Sequence, residues 1–202
     1  WVAAPETART GSTSRSRTRL ALSSPPAHLP AWKPLAAALA MGLMSMGAAA
    51  YSPPNIDVAA GVSETMTDLT YPDHEFAGGT IAATGTLNVT SGYTLINAYG
   101  TLSNHGTLNN HGALNNISML INFGTFNNHI DSQLTNEGGN ELRNKGTLTN
   151  DGTLTNSDGQ LVNDAFSTLH NNGTLTNYAS NQLDNYGTLN NNAGATLTNY
   201  GL

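Results

Sequence analysis

The chain has 202 residues, no cysteine and a charged fraction of 10%, against roughly 25% in an average soluble protein. Hydrophobic residues reach only 38%, which excludes a bundle of membrane helices. Asn and Thr supply 26 residues each and Gly another 21; these are poor helix residues, and an all-α fold is excluded. Low charge and a steady supply of Leu also separate the chain from disordered proteins.

Charge is unevenly placed. Five of the seven basic residues (Arg9, Arg15, Arg17, Arg19 and Lys33) lie within the first 33 positions. From Tyr51 onward only Arg143 and Lys145 are basic, against twelve carboxylates, a balance of −10. Such a body repels phosphate backbones, so no nucleic-acid partner is expected.

Residues 1–50 read as an extended signal or targeting region, disordered or helical and removed. The basic stretch precedes an uncharged apolar run, Leu35 to Ala50, that ends in the small residues Ala48-Ala49-Ala50. Basic segment, apolar segment and small-residue exit are the three parts of a secretory signal. The run is shorter than the roughly twenty residues of a membrane-spanning helix. The chain opens on Trp1, so residues 1 to about 30 either belong to a fragment or fall outside the natural product. Residues 51–79 lack a repeat and are expected to act as an N-terminal cap or linker.

Residues 80–202 carry a repeat, Leu-x-Asn, which outranks local signals. Its apolar positions are Leu95, Leu102, Leu108, Leu114, Leu120, Phe126, Leu134 and Leu142. They continue through Leu148, Leu154, Leu161, Leu169, Leu175, Leu183, Leu189 and Leu197. Asn follows two residues later each time: Asn97, Asn104, Asn110, Asn116, Asn122, Asn128, Asn136 and Asn144, then Asn150, Asn156, Asn163, Asn171, Asn177, Asn185, Asn191 and Asn199. Intervals of six to eight residues do not suit a helix. In a strand, alternation puts Leu148 and Asn150 on one side and Thr147 and Thr149 on the other. The predicted strand is about four residues long, with Gly turning the chain at positive φ.

Strands that turn the same way at every Gly build a coil, and stacked coils build parallel sheets. The expected fold is therefore all-β, a parallel β-helix (β-solenoid). Leu is the core, and inward Asn stacks coil on coil as a structural ladder. Grouping the units in threes gives about 20 residues per coil, and in twos about 14; three faces enclose the better core. Tyr200-Gly201-Leu202 stops in mid-repeat, so the solenoid is expected to be truncated at the C-terminus, with an open edge prone to self-association.

Runs such as Gly146-Thr147-Leu148-Thr149-Asn150-Asp151-Gly152-Thr153-Leu154-Thr155-Asn156 resemble the repeats of large bacterial exoproteins, the filamentous-haemagglutinin-like adhesins and autotransporter passenger domains. The resemblance covers roughly 80–202 and implies a right-handed solenoid secreted from a Gram-negative bacterium to its outer surface. It further implies a non-catalytic structural or adhesive role, as a stalk or in attachment to a host-cell, glycan or abiotic surface. No Asn precedes Pro and no translocator barrel follows, which leaves the secretion route open.

Four kinds of site were weighed against this reading. A polysaccharide-acting enzyme needs clustered carboxylates, and the nearest group is Asp131, Glu137, Glu141, Arg143 and Lys145; solvated charges at an irregular repeat explain it better. His105, His111 and His129 stand at turns that elsewhere hold Glu137, Lys145, Asp151 or Tyr178, so no metal or cofactor is expected. No nucleophile motif or phosphate loop is present. An ice-binding face needs stacked, uncharged Thr-x-Thr pairs. Thr147/Thr149, Thr153/Thr155, Thr174/Thr176 and Thr196/Thr198 qualify by sequence, but pairs six residues apart fall on different faces. Glu141, Arg143, His170 and Asp184 also point outward, and outward β propensity accounts for the Thr. Tyr178, Tyr186 and Tyr200 are candidates for an aromatic strip that stacks on sugars.

Overall fold

The computed structural model describes residues 53–66 and 74–202. The expected targeting region, 1–50, lies outside the described residues. Every regular element among them is a strand of three to five residues. Three strands make one coil. Ile56–Val58, Ser63–Met66 and His74–Phe76 form the first, and Gln182–Asn185, Thr188–Asn191 and Thr196–Asn199 the last.

Every third strand pairs in parallel, which gives three seven-stranded sheets, designated A, B and C after the order of the first coil. Leu95, Leu114, Leu134, Leu154, Leu175 and Leu197 are successive register partners in sheet C, 19 to 22 residues apart. The molecule is a three-sided parallel β-solenoid, and the two-faced alternative is excluded. Ile56–Phe76, within the segment expected as cap or linker, supplies the first strand of each sheet. The solenoid therefore begins ahead of residue 80. Ile56, Val58 and Met66 fill its interior without a Leu-x-Asn unit, which is why the sequence repeat misses it.

Alternation sets the section. From Leu95 to Leu175 the apolar residue of every unit is buried, as is the Asn two places on. Leu183, Leu189 and Leu197 in the last coil are only partly covered. Thr and its equivalents point outward, where a β-branched side chain suits a pleated surface.

Corner length explains the uneven spacing. A two-residue corner such as Lys145-Gly146 sets an interval of six, and Asp164-Ala165-Phe166-Ser167 sets eight. The glycines of the two-residue corners are not there for positive φ, contrary to expectation: Gly124, Gly146, Gly152 and Gly173 stay outside that region. A Cβ on Gly146 would stand 2.2 Å from the Gly124 carbonyl oxygen one coil below. Close approach of stacked corners demands glycine. Left-handed φ falls at the third residue of four-residue corners, where Gly61, Gly92 and Gly194 meet the expectation and Thr84, Asp131, Phe166 and Ser180 adopt it without being glycine.

Candidate functional site

The inward asparagines form three continuous amide ladders. Sheet C links Asn97, Asn116, Asn136, Asn156, Asn177 and Asn199 by Nδ2–H to Oδ1 bonds of 2.6–2.8 Å. Sheet A links Asn104, Asn122, Asn144, Asn163 and Asn185 at 2.7–2.8 Å. Sheet B links Asn110, Asn128, Asn150, Asn171 and Asn191 at the same distances.

Each buried ladder amide from Asn97 to Asn171 also donates to a backbone carbonyl in the next coil, while Asn177 donates to Asn181 O in its own corner. Asn122 reaches Thr147 O at 2.9 Å, and Asn150 reaches Thr174 O at 2.9 Å. Buried amides need such partners, since an unmet one costs about 1–3 kcal/mol. All donors point towards the C-terminal end, so the ladders have polarity. At their start, the ladder slot below Asn97 holds Phe76, and Asn97 Oδ1 has no partner.

The three outward faces differ in chemistry. Sheet A carries the charge. Arg143 donates to both oxygens of Asp164, from Nε at 2.9 Å and Nη2 at 3.0 Å, while Nη1 lies 3.1 Å from Glu141. Lys145 Nζ stands 3.7 Å from the same aspartate. The Arg143 hydrogen bonds hold Asp164 below its ordinary carboxylate range, and in return raise the guanidinium. A general acid needs the opposite shift. Gln160, Gln182 and Asp184 continue this bonded face.

Of the five residues weighed as a carboxylate cluster, Glu141, Arg143 and Lys145 come together. Asp131 sits at a corner between sheets B and C, and Glu137 at one between C and A. Asp164 is the member that sequence reasoning missed. It follows Asn163 as Lys145 follows Asn144, and the pairing of Asn144 with Asn163 across coils is what brings it to Arg143.

Corner residues line up along the axis. His105 stacks on Phe123 with ring centroids 4.5 Å apart, and Lys145 lies 5.5 Å above that phenylalanine. His111 stacks on His129 at 3.8 Å in a different corner, and burial followed by the His129 charge lowers the His111 pKa. No group of three or more metal-ligating side chains occurs among the described residues. Tyr178 and Tyr200 share a corner with centroids 6.5 Å apart. Tyr186 belongs to another corner, so the three tyrosines do not make one strip.

Sheet B pairs an outward threonine column, Thr86 to Thr188, with a column rich in amides. Asn127 bonds Asn109 and Asn109 bonds Asn88, each at 2.9 Å, and Asn190 meets His170 at 3.2 Å. Sheet C is different again. Gln133, Thr153, Thr174 and Thr196 are register partners, as are Thr135, Thr155, Thr176 and Thr198. Three of the four Thr-x-Thr pairs thus stack on one face, and only Thr147/Thr149 lies apart, on sheet B. A comparison with protein-family models, curated proteins and solved structures gives no match.

Proposed function

We propose that the solenoid is a non-catalytic, secreted or surface-exposed rod that serves as a stalk or attaches its bearer to a cell, glycan or abiotic surface. The observation that carries this reading is the division of labour in every coil. From Leu95 onward inward positions are spent on core and ladder without interruption, while outward positions mix Thr, amide, apolar and charged side chains and, among the described residues, gather no catalytic set. Seven strands at about 4.8 Å give each sheet a length of about 30 Å, a stiff spacer with three long faces. The acidic and basic side chains that do meet, around Arg143, neutralise one another as a surface ion network.

Two measurements test it. Expression in a Gram-negative host should give export with cleavage near Ala50, and the purified chain should be retained on cell or glycan surfaces. Turnover of an acidic polysaccharide by the same preparation would replace this reading with an enzyme.

A further inference from the structure

We infer that the outward face of sheet C binds ice, through two in-register columns of threonine. Thr153, Thr174 and Thr196 form one column, and Thr155, Thr176 and Thr198 the other. Their pitch along the axis is the inter-strand distance, about 4.8 Å, and the columns stand about 6.7 Å apart, two residues along a strand. Both repeats are close to oxygen spacings on the surfaces of crystalline ice.

Three features separate this face from the other two. Its hydroxyls are unspent: Thr153, Thr174 and Thr196 accept ladder amides at their carbonyls, but among the described residues no hydroxyl of the six makes a hydrogen bond, so each is left to water. It carries no charge along its outward columns from Thr94 to Thr198. Glu141, Arg143 and Asp184 lie on sheet A and His170 on sheet B, so the outward groups that spoke against a threonine array are on other faces. Its side chains are stiff as well, since β-branching restricts χ1 and neighbours on both sides fix the register. Hydroxyls and methyls are therefore held in a lattice before water arrives.

Ordering a water costs entropy, and on this face the array sets its positions in advance. A charged side chain would instead centre a hydration shell on itself and break the lattice. Sheet B carries one such column, Thr86, Thr107, Thr125, Thr147, Thr168 and Thr188, but its second outward column is mostly amides and His170 that bond one another, and sheet A carries the bonded charges, so only sheet C offers two free columns side by side.

The test is ice recrystallisation and ice-crystal shaping by the full chain, compared with Thr176→Lys on sheet C and Thr149→Lys on sheet B. Both changes place the same ammonium at a mid-strand outward position. The wild-type chain should inhibit recrystallisation, T149K should match it, and T176K should lose the effect. Thr198→Lys, in the last coil, repeats the sheet C arm should T176K fail to fold by circular dichroism. A folded wild-type chain without effect on ice overturns the proposal, and so does equal loss in the sheet B and sheet C variants.

Discussion

At the scale of the residue, the asparagine ladder makes side chains of one type unequal in worth. Asn136 accepts from Asn116 and donates to Asn156 Oδ1 and to the Gln160 carbonyl. Replacing it with Val strands a donor on one side and an acceptor on the other, each inside the stack. With about 1–3 kcal/mol for each unmet group, Asn136→Val is expected to lose about 2–6 kcal/mol. Asn97 makes the same two kinds of donation, to Asn116 and to Met119 O, yet its own oxygen is already unpartnered. Asn97→Val removes that orphan along with the bonds, and should cost clearly less than Asn136→Val in urea unfolding. Equal losses would mean that the ladder contributes as independent amides rather than as a directional chain.

At the scale of the element, strands and corners were legible in the sequence to different degrees. Leu-x-Asn with outward Thr defines a strand because alternation is a local property, and Leu148 and Asn150 stand where the pattern puts them. Sheet membership is not local, because it depends on how many residues each corner takes. Thr174/Thr176 stacks on Thr153/Thr155 because three strands, joined by the Ser157-Asp158, Asp164–Ser167 and Asn172-Gly173 corners, complete one coil between them. For the same reason Asp164 could not be brought to Arg143 from spacing alone. Corner stacks also carry the pH dependence. His111, stacked on His129 with Asp151 next along that corner, is held below its ordinary value near 6.5 by burial and by the His129 charge. The unfolded chain then binds a proton that the folded chain resists, so stability is full above that value and falls as pH drops through it. Asp164 behaves alike at lower pH: its contribution is complete above about 3.8 and is lost below. Thermal melts from pH 7 to 3 should show both declines. His111→Asn, the residue type at Asn172 and Asn192 of that corner, should flatten the first, and Asp164→Asn the second.

At the scale of the whole molecule, ladder polarity makes the first and last described coils unlike. In the first coil the ladder slots hold Val58, Met66 and Phe76. In the last they hold Asn185, Asn191 and Asn199, which no next-coil amide meets; Asn185 and Asn191 turn back to Gly187 O and Ala195 O. Stacking a second copy head to tail would press three amides against apolar side chains, at about 1–3 kcal/mol each. By this chemistry the last described coil fits a following coil that brings asparagine oxygens better than one that brings apolar side chains. A chain lengthened by a second copy of residues 183–202 after Leu202 supplies such a coil in register, because Leu202 already bonds Asn181 O and the Leu183 amide. That coil should raise the melting temperature. The same extension with Val at its three ladder positions buries more apolar surface, which by transfer alone would stabilise it more. It leaves the Asn185, Asn191 and Asn199 amides covered and unmet, however, and is expected to fall short of the Asn coil by about 3 kcal/mol or more. A Val coil that matches or exceeds the Asn coil would show that apolar burial, rather than the direction of the amide chain, decides what stacks on this end.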